Sequence, residues 1–367
     1  MKVPFLDFQN MNSLIREDLM SYFKGFLDSG YYVLGNNLKS FEEEYAIFNE
    51  VKYSVGVSNG LDALILCLRA LNIRDGDEVI VPSNTYIATV LAILNVGARP
   101  VFIEPNIKTY NIDPDNIESK ITSKTKGIIP VHLYGQPCEM DRIMEISRKY
   151  GIYVIEDNAQ SHGAKYKEKM TGSWGDLNAT SFYPGKNLGA LGDAGAITTN
   201  SENYADLVRT LRNYGSRVKY VNELIGYNMR LDEFQAGVLS IKLRMLKKWT
   251  NERQQLANLY IDNLSDLQDV TLPYTLQNAS HSYHLFVIRI EQRNDLQEFL
   301  SNKGIQTLIH YPIPPHLQNA LSNLGFKKGD FPIAEKLAET MMSLPLWPGL
   351  ESDKVSFICD TIRSFYK

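Results

Sequence analysis

Lys186 lies in the stretch SFYPGKNLGALGDAGA, residues 181–196, between a Tyr-Pro-Gly turn and a run of small residues. A surface lysine ordinarily rides on a charged helix. Here the small neighbours let a bulky ligand lie against the backbone and leave the side chain room to swing. A lysine amine forms a Schiff base with a carbonyl, and desolvation lowers its pKa so that it also serves as a base near neutral pH. If the carbonyl is that of pyridoxal phosphate, three further parts are needed. A carboxylate must pair with the pyridine nitrogen. Donors, best placed at a helix N-terminus, must hold the phosphate. An aromatic ring should cover the cofactor face.

The sequence offers each part at the end of a different apolar run. Asp157 closes YVIED and points into whatever crevice lies there. Gly60 and Leu61 open a helix directly after a short strand, so their amides are available to a phosphate. Ser181 precedes Lys186 in the same loop and adds a hydroxyl, and Tyr86 begins the next helix, where it can cover a ring. Taken singly these are ordinary features: strand-end aspartates are common, and Ser-Asn-Gly is often no more than a helix cap. Their joint occurrence is what points to a site.

The elements that must position these residues alternate. DEVIVPS, RPVFIEP, KTKGIIPVHLYG and GIYVIEDNAQ read as buried strands. The segments at 57–73, NTYIATVLAILNVG and EMDRIMEISRKYG read as the helices between them. This predicts an α/β fold with a mainly parallel sheet, whose ligands bind beyond the carboxyl ends of the strands. Residues 13–28 and 38–49 are expected to be helical. After about residue 235 one long helical stretch leads into a C-terminal part. There HSYHLFVIRI and IQTLIHYP are expected as strands, followed by closing helices. The division expected is a large domain over 1–240, including the N-terminal helices, and a small domain over 241–367.

Composition removes several classes of function. A net charge of -4 argues against nucleic acid as a partner. No apolar run approaches the roughly 20 residues of a membrane span, and MKVPFLDFQN has no signal-peptide core, so no membrane partner is expected. Cys67, Cys138 and Cys359 are far apart and lack CxxC spacing, as expected of reduced thiols in the cytoplasm. His281 and His284 are three apart, but the segment reads as a strand with no helpful carboxylate, so no metal is expected.

The ordered set VSNGLDAL, PSNTYIATVLAI, VHLYGQP, VIEDNAQSHGA, TSFYPGKNLGALGDAGAI and GYNMRLDEFQAG resembles the DegT/DnrJ/EryC1/StrS family of nucleotide-sugar aminotransferases dependent on pyridoxal 5'-phosphate. The resemblance spans nearly the whole chain. It implies the aspartate-aminotransferase-like fold (fold type I), with a large domain and a smaller C-terminal α+β domain. It also implies a homodimer with active sites shared between subunits. Lys186 would be the Schiff-base lysine and proton shuttle. Asp157 would bind the pyridinium nitrogen and Gln160 the phenolic oxygen. Ser181 and the Gly60–Leu61 backbone would take the phosphate, Asn228 would reach it from the partner subunit, and Tyr86 would stack on the ring. Many relatives carry Gly-Thr where this chain has Gly60-Leu61, which leaves more of the phosphate contact to backbone amides. Relatives with histidine in place of the lysine are dehydratases; the presence of Lys186 favours transamination.

VPFLDF, SGYYVLGNNLKSFEEEYA and LIHYPIPPHLQ resemble the subgroup that aminates C3 of dTDP-3-keto-6-deoxyhexoses, usually with L-glutamate as donor and 2-oxoglutarate as its product. The products there are dTDP-3-amino-3,6-dideoxyhexoses, used in a surface glycan (O-antigen of lipopolysaccharide, S-layer glycan) or a glycosylated metabolite. Tyr183, His310 and Tyr311 are candidates for the hexose pocket, with Arg230 and Lys219 for the diphosphate or the donor carboxylate. Against these stand plainer roles: a turn histidine at 310, an ion pair from Arg230 to Asp232 or Glu233, and a solvated Lys219. Three other functions remain. One is amination at C4 of a nucleotide-linked 4-keto sugar, and another is nucleotide-sugar binding without turnover. The third is a nicotinamide-dependent dehydrogenase, which the single glycine of VSNGLDAL disfavours.

Overall fold

The computed structural model describes residues 1–366. Its centre is a seven-stranded sheet: β1 (Tyr53–Val57), β2 (Glu78–Pro82), β3 (Arg99–Ile103), β4 (Thr125–Ile128), β5 (Tyr153–Asp157), β6 (Leu177–Ser181) and β7 (Gly195–Thr199). The spatial order is β1-β7-β6-β5-β4-β2-β3. The ladders β3-β2-β4-β5-β6 are parallel, and β7 runs antiparallel to both β6 and β1. Helices cover both faces, which is why Val79, Ile80 and Val81 are all buried although successive side chains point to opposite sides. The helices Gly60–Ala70, Ile87–Asn95 and Glu202–Leu211 help cover one face, and Met140–Tyr150 packs on the other. This is the α/β arrangement expected, and the parallel ladders aim the carboxyl ends of β2, β4, β5 and β6 at a common edge.

The helices expected at 13–28 and 38–49 appear as Arg16–Ser29 and Asn36–Phe48, after a single turn at Phe8–Ser13. The long helix is Glu233–Leu264, so the division expected at residue 240 falls inside one unbroken element. The N-terminus also belongs elsewhere than its position suggests. Val3 and Met11 are buried in the C-terminal core with Tyr260, Phe286, Trp347 and Ile358.

The C-terminal strand expected from HSYHLFVIRI is Phe286–Arg289, antiparallel to Met341–Leu344. IQTLIHYP, however, is not a strand. Ile305 bridges to Val3 and Leu308 bridges to Ser343, so the segment passes from one partner to another and never builds a ladder.

One contact joins the long helix to the N-terminal layer. The helix Asn36–Phe48 has Gly35 at its N-cap, which offers no side-chain acceptor. Its free amides are taken instead by the buried carboxylate of Glu233, which accepts from Gly35 (2.9 Å), Asn37 (2.6 Å) and Leu38 (3.2 Å). A carboxylate there satisfies orphan donors and complements the helix dipole. Glu233→Ala should therefore destabilise the fold by about 2 kcal/mol, with Glu233→Gln recovering part. Chemical denaturation of the three proteins measures this, and equal midpoints would show that the cap carries no weight.

Candidate active site

The strand ends converge on one large cavity of about 1320 Å³, whose wall includes Gly60, Leu61, Tyr86, Asp157, Gln160, Ser181 and Lys186. Tyr183, His310 and Tyr311 line it as well. Single small-ligand sites typically run to about 300–1,000 Å³. This one has room for a cofactor and a substrate together.

Asp157 is the last residue of β5. Pairing of Asp157 with Ala179 on β6 and a bridge from Val131 hold its backbone on both sides. Its carboxylate is buried and sparsely satisfied. Thr89 Oγ1 donates to Oδ2 at 2.8 Å, and the Ala159 amide donates to Oδ1 at 3.2 Å. Because Thr89 gives its proton to Asp157, the neighbouring Thr85 hydroxyl, 2.9 Å away, donates to Thr89. Burial raises the Asp157 pKa, and the hydrogen bonds with Thr89 and Ala159 and the charge of Lys186 pull it back. A carboxylate this short of donors fits a cationic ligand atom, such as a protonated ring nitrogen.

Lys186 closes a turn in which its amide donates to the Tyr183 carbonyl at 2.8 Å, with Pro184 and Gly185 at the central positions. The next residue anchors the loop: buried Asn187 donates from Nδ2 to the Ser282 carbonyl at 3.0 Å. Burial pushes the Lys186 amine down to about 8, against the carboxylate of Asp157, which raises it.

At another part of the wall, the helix Gly60–Ala70 begins with Asn59, whose Oδ1 accepts from the Asp62 amide at 2.9 Å. No protein acceptor is assigned to the Gly60 and Leu61 amides among the described residues, and Ser181 lies against Gly60. A Cβ on Gly60 would sit 2.6 Å from the Ser181 Cβ, so only glycine lets the hydroxyl approach the helix start. Two free amides, a helix N-terminus and a hydroxyl form a cradle suited to a phosphate.

The remaining wall residues are tied to one another. Gln160 accepts from the Tyr134 amide at 2.7 Å, which fixes its orientation, and its Nε2 donates to the Tyr311 hydroxyl at 3.2 Å. Tyr86, at the start of its helix, is half-exposed to the cavity, with its ring centroid 5.1 Å from that of Tyr311. His310 meets Ser343 Oγ through Nδ1 at 2.8 Å.

Three expected site residues do not line this cavity. Asn228 bridges to Asn213, Arg230 donates to Asn213 Oδ1 at 3.1 Å and lies over the Tyr214 ring, and Lys219 lies over Tyr220. The expected alternative for Arg230, an ion pair with Asp232 or Glu233, is not formed among the described residues; Glu233 caps a helix instead. Sequence reading missed Thr89, which is hidden inside an apolar helix, and the N-terminal Phe5, Leu6 and Phe8, which line the cavity. It also missed the wall residue His284, noticed only for its spacing from His281.

The chain has relatives among known proteins and solved structures. The pattern of the DegT/DnrJ/EryC1/StrS aminotransferase family matches residues 13–363. The chain is 48% identical over 363 residues to a protein of Aneurinibacillus thermoaerophilus named dTDP-3-amino-3,6-dideoxy-alpha-D-galactopyranose transaminase, covering 99% of each. The structure of Streptomyces venezuelae DesV in complex with a ketimine intermediate matches with a TM-score of 0.98 at 44% identity, over 100% of this chain and 99% of that one. NtdA from Bacillus subtilis, solved with bound cofactor PMP, matches with a TM-score of 0.92 at 33% identity, over 99% and 85% of the two chains.

The cavity's geometry gives two expected outcomes. Reaction of the cofactor-free protein with a small aldehyde should rise with pH and reach half its maximum at about 8, because only the neutral Lys186 amine attacks. Asp157→Asn removes the charge that holds this pKa up, so the midpoint should move lower; an unmoved midpoint would mean the two groups do not interact. Separately, Gly60→Ala should weaken binding of a phosphate-bearing ligand roughly tenfold, measured by calorimetry, by pushing Ser181 out of the cradle.

Proposed function

The chain belongs to the DegT/DnrJ/EryC1/StrS aminotransferase family, and from that premise we propose that its cavity transfers an amino group from L-glutamate to C3 of a dTDP-3-keto-6-deoxyhexose. The products are 2-oxoglutarate and a dTDP-3-amino-3,6-dideoxyhexose. The protein is a sugar aminotransferase that uses pyridoxal 5'-phosphate. The observation that carries the chemistry is the under-satisfied Asp157 carboxylate in one cavity with Lys186 and a helix-start cradle. The sugar class is supported by the relative named for a dTDP-3-amino-3,6-dideoxy sugar.

When bound, the cofactor supplies a carbonyl that exchanges with amines and a ring that draws electrons while its nitrogen is protonated. In this reading the protein's own residues do the rest. The Asp157 carboxylate holds the proton on that ring nitrogen, and the Thr85-Thr89 hydroxyl chain keeps the carboxylate aimed. The Gly60 and Leu61 amides and the Ser181 hydroxyl hold the phosphate. Gln160 Nε2 offers its proton to the phenolic oxygen, and Tyr86 covers the ring face. Lys186 Nζ binds the cofactor. Once freed, it takes a proton from the α-carbon of the amino acid in one half-reaction and delivers one to C3 of the sugar in the other. An amine near pH 8 can do both close to neutrality. Tyr183, His310 and Tyr311 contact the hexose.

We further read the protein as a homodimer with shared sites. Tyr220 and Ile225 are 87% and 95% exposed in the segment that carries Lys219, Asn228 and Arg230, and the helix Arg16–Ser29 buries no residue at all. A second copy covering this surface would bring Asn228 to the partner's phosphate, with Arg230 and Lys219 near its substrate. The three cysteines are unpaired and buried, in keeping with the reducing cytoplasm. No helix among the described residues is long and apolar enough to cross a membrane. The amino sugar would serve a surface glycan such as an O-antigen or S-layer chain.

The test is spectroscopic. The purified protein loaded with pyridoxal phosphate should show the visible absorbance of the lysine-bound cofactor. Glutamate should abolish it, and a dTDP-3-keto-6-deoxyhexose should restore it. Lys186→Ala should lack the band and lose turnover by about a thousandfold or more. Loss with glutamate but no return with the 3-keto sugar would remove the C3 assignment and leave the aminotransferase intact.

A further inference from the structure

His284 lines the cavity yet has no part in the chemistry described above. Its protonation can be read from its neighbours. Asn187, adjacent to Lys186, uses Nδ2 to donate to the Ser282 carbonyl at 3.0 Å, so its other amide atom, Oδ1, faces His284 Nδ1 at 3.3 Å. An amide oxygen only accepts, so Nδ1 must carry the hydrogen. The ring is neutral: burial holds its pKa well below the usual histidine range, and the nearby Lys186, Arg253 and His310 push it the same way. A neutral ring with a hydrogen on Nδ1 has a bare lone pair on Nε2. Among the described residues no protein partner is assigned to Nε2, and it is not among the enclosed polar atoms that lack one, so on a residue that lines the cavity it is open to that cavity. The main chain that carries the ring is held from behind, since buried Arg253 donates to the backbone carbonyls of Tyr283 (3.2 Å) and His284 (3.4 Å).

A fixed acceptor therefore faces the cavity from a residue hydrogen-bonded to Asn187, the anchor of the Lys186 loop. The two substrates differ in what they can give it. Glutamate at neutral pH brings one donor, the α-ammonium that is itself the reacting group, and two carboxylates, which only accept. A 3-keto-6-deoxyhexose brings hydroxyls at C2 and C4, on either side of the reacting carbon. We propose that His284 Nε2 accepts a hydrogen bond from a hexose hydroxyl flanking C3, and so acts as a specificity-determining residue of the sugar half-reaction alone. This rests on the amino transfer proposed above. His310 gives no comparable reading, because its Nδ1 meets a serine hydroxyl that can either donate or accept.

The experiment uses the holoenzyme and follows the two half-reactions separately by the cofactor's absorbance. One is driven by glutamate and the other, on the amino form, by a dTDP-3-keto-6-deoxyhexose. His284→Phe should slow the sugar half-reaction by about 10–100-fold and leave the glutamate half-reaction within about threefold. His284→Gln, whose amide oxygen can accept, should recover most of the sugar rate and also guards against a phenylalanine variant that does not fold. Equal loss in both half-reactions would mean that His284 only supports the Lys186 loop or accepts from Lys186 itself, and would overturn the proposal. So would an unchanged sugar rate in His284→Phe, or no recovery in His284→Gln. The wild-type protein run in parallel separates the two readings: if it fails with the 3-keto sugar, the substrate assignment is at fault and not the role of His284.

Discussion

Asp157 is a carboxylate held out of water with one hydroxyl and one backbone amide for company. Such a group is costly unless a cation completes its shell. Lys186 only partly serves, since its own burial lowers its pKa while that of Asp157 rises. Each group's charged form is thus disfavoured while the cavity holds no cationic ring. A bound protonated nitrogen would favour the ionised form of Asp157, and a bond between Lys186 and the cofactor would take away the need to bury an ammonium. The site carries a deficit that a cationic ligand atom would fill.

The sheet supplies the rigidity that this needs. Asp157 sits between β6 and the segment after β4, so its main chain is held from both sides at the point where the ladder ends. Behind it, Glu156 faces the opposite way and is fully engaged: it pairs with His132 at 2.8 Å and accepts from the amides of Gly172, Trp174 and Gly175. Adjacent carboxylates on one strand thus have opposite fates. One is satisfied by the protein and structural, and the other is left short and available to a ligand. The C-terminal part then closes the remaining wall through His284, His310 and Tyr311, and through Ser282, which binds Asn187 beside Lys186.

Much of this was legible in the sequence because parallel strands are apolar runs whose polar ends face the ligand. Asp157, Ser181 and the Gly60 helix start stand out as the polar or small residues that close such runs, and Lys186 stands out by its small neighbours. What escaped has physical causes. Thr89 lies in an apolar helix and matters only because the first turn of that helix abuts β5. Glu233 looked like a partner for Arg230, but the amides it caps lie nearly two hundred residues earlier in the chain. IQTLIHYP reads as a strand in the sequence, yet its bridges go to two different partners. The N-terminal residues carry no sign of joining the C-terminal core, since Val3 and Phe5 acquire their partners, Ile305 and His310, only through the fold.

The most direct test of this account is the protonation state of the cofactor's ring nitrogen, read by nitrogen NMR of ring-labelled pyridoxal phosphate bound to the protein. With Asp157 intact, the nitrogen should remain protonated well above the pH at which free pyridoxal phosphate loses that proton, and Asp157→Asn should abolish the difference. A ring nitrogen that is unprotonated at neutral pH in the unaltered protein would contradict the central role given to Asp157.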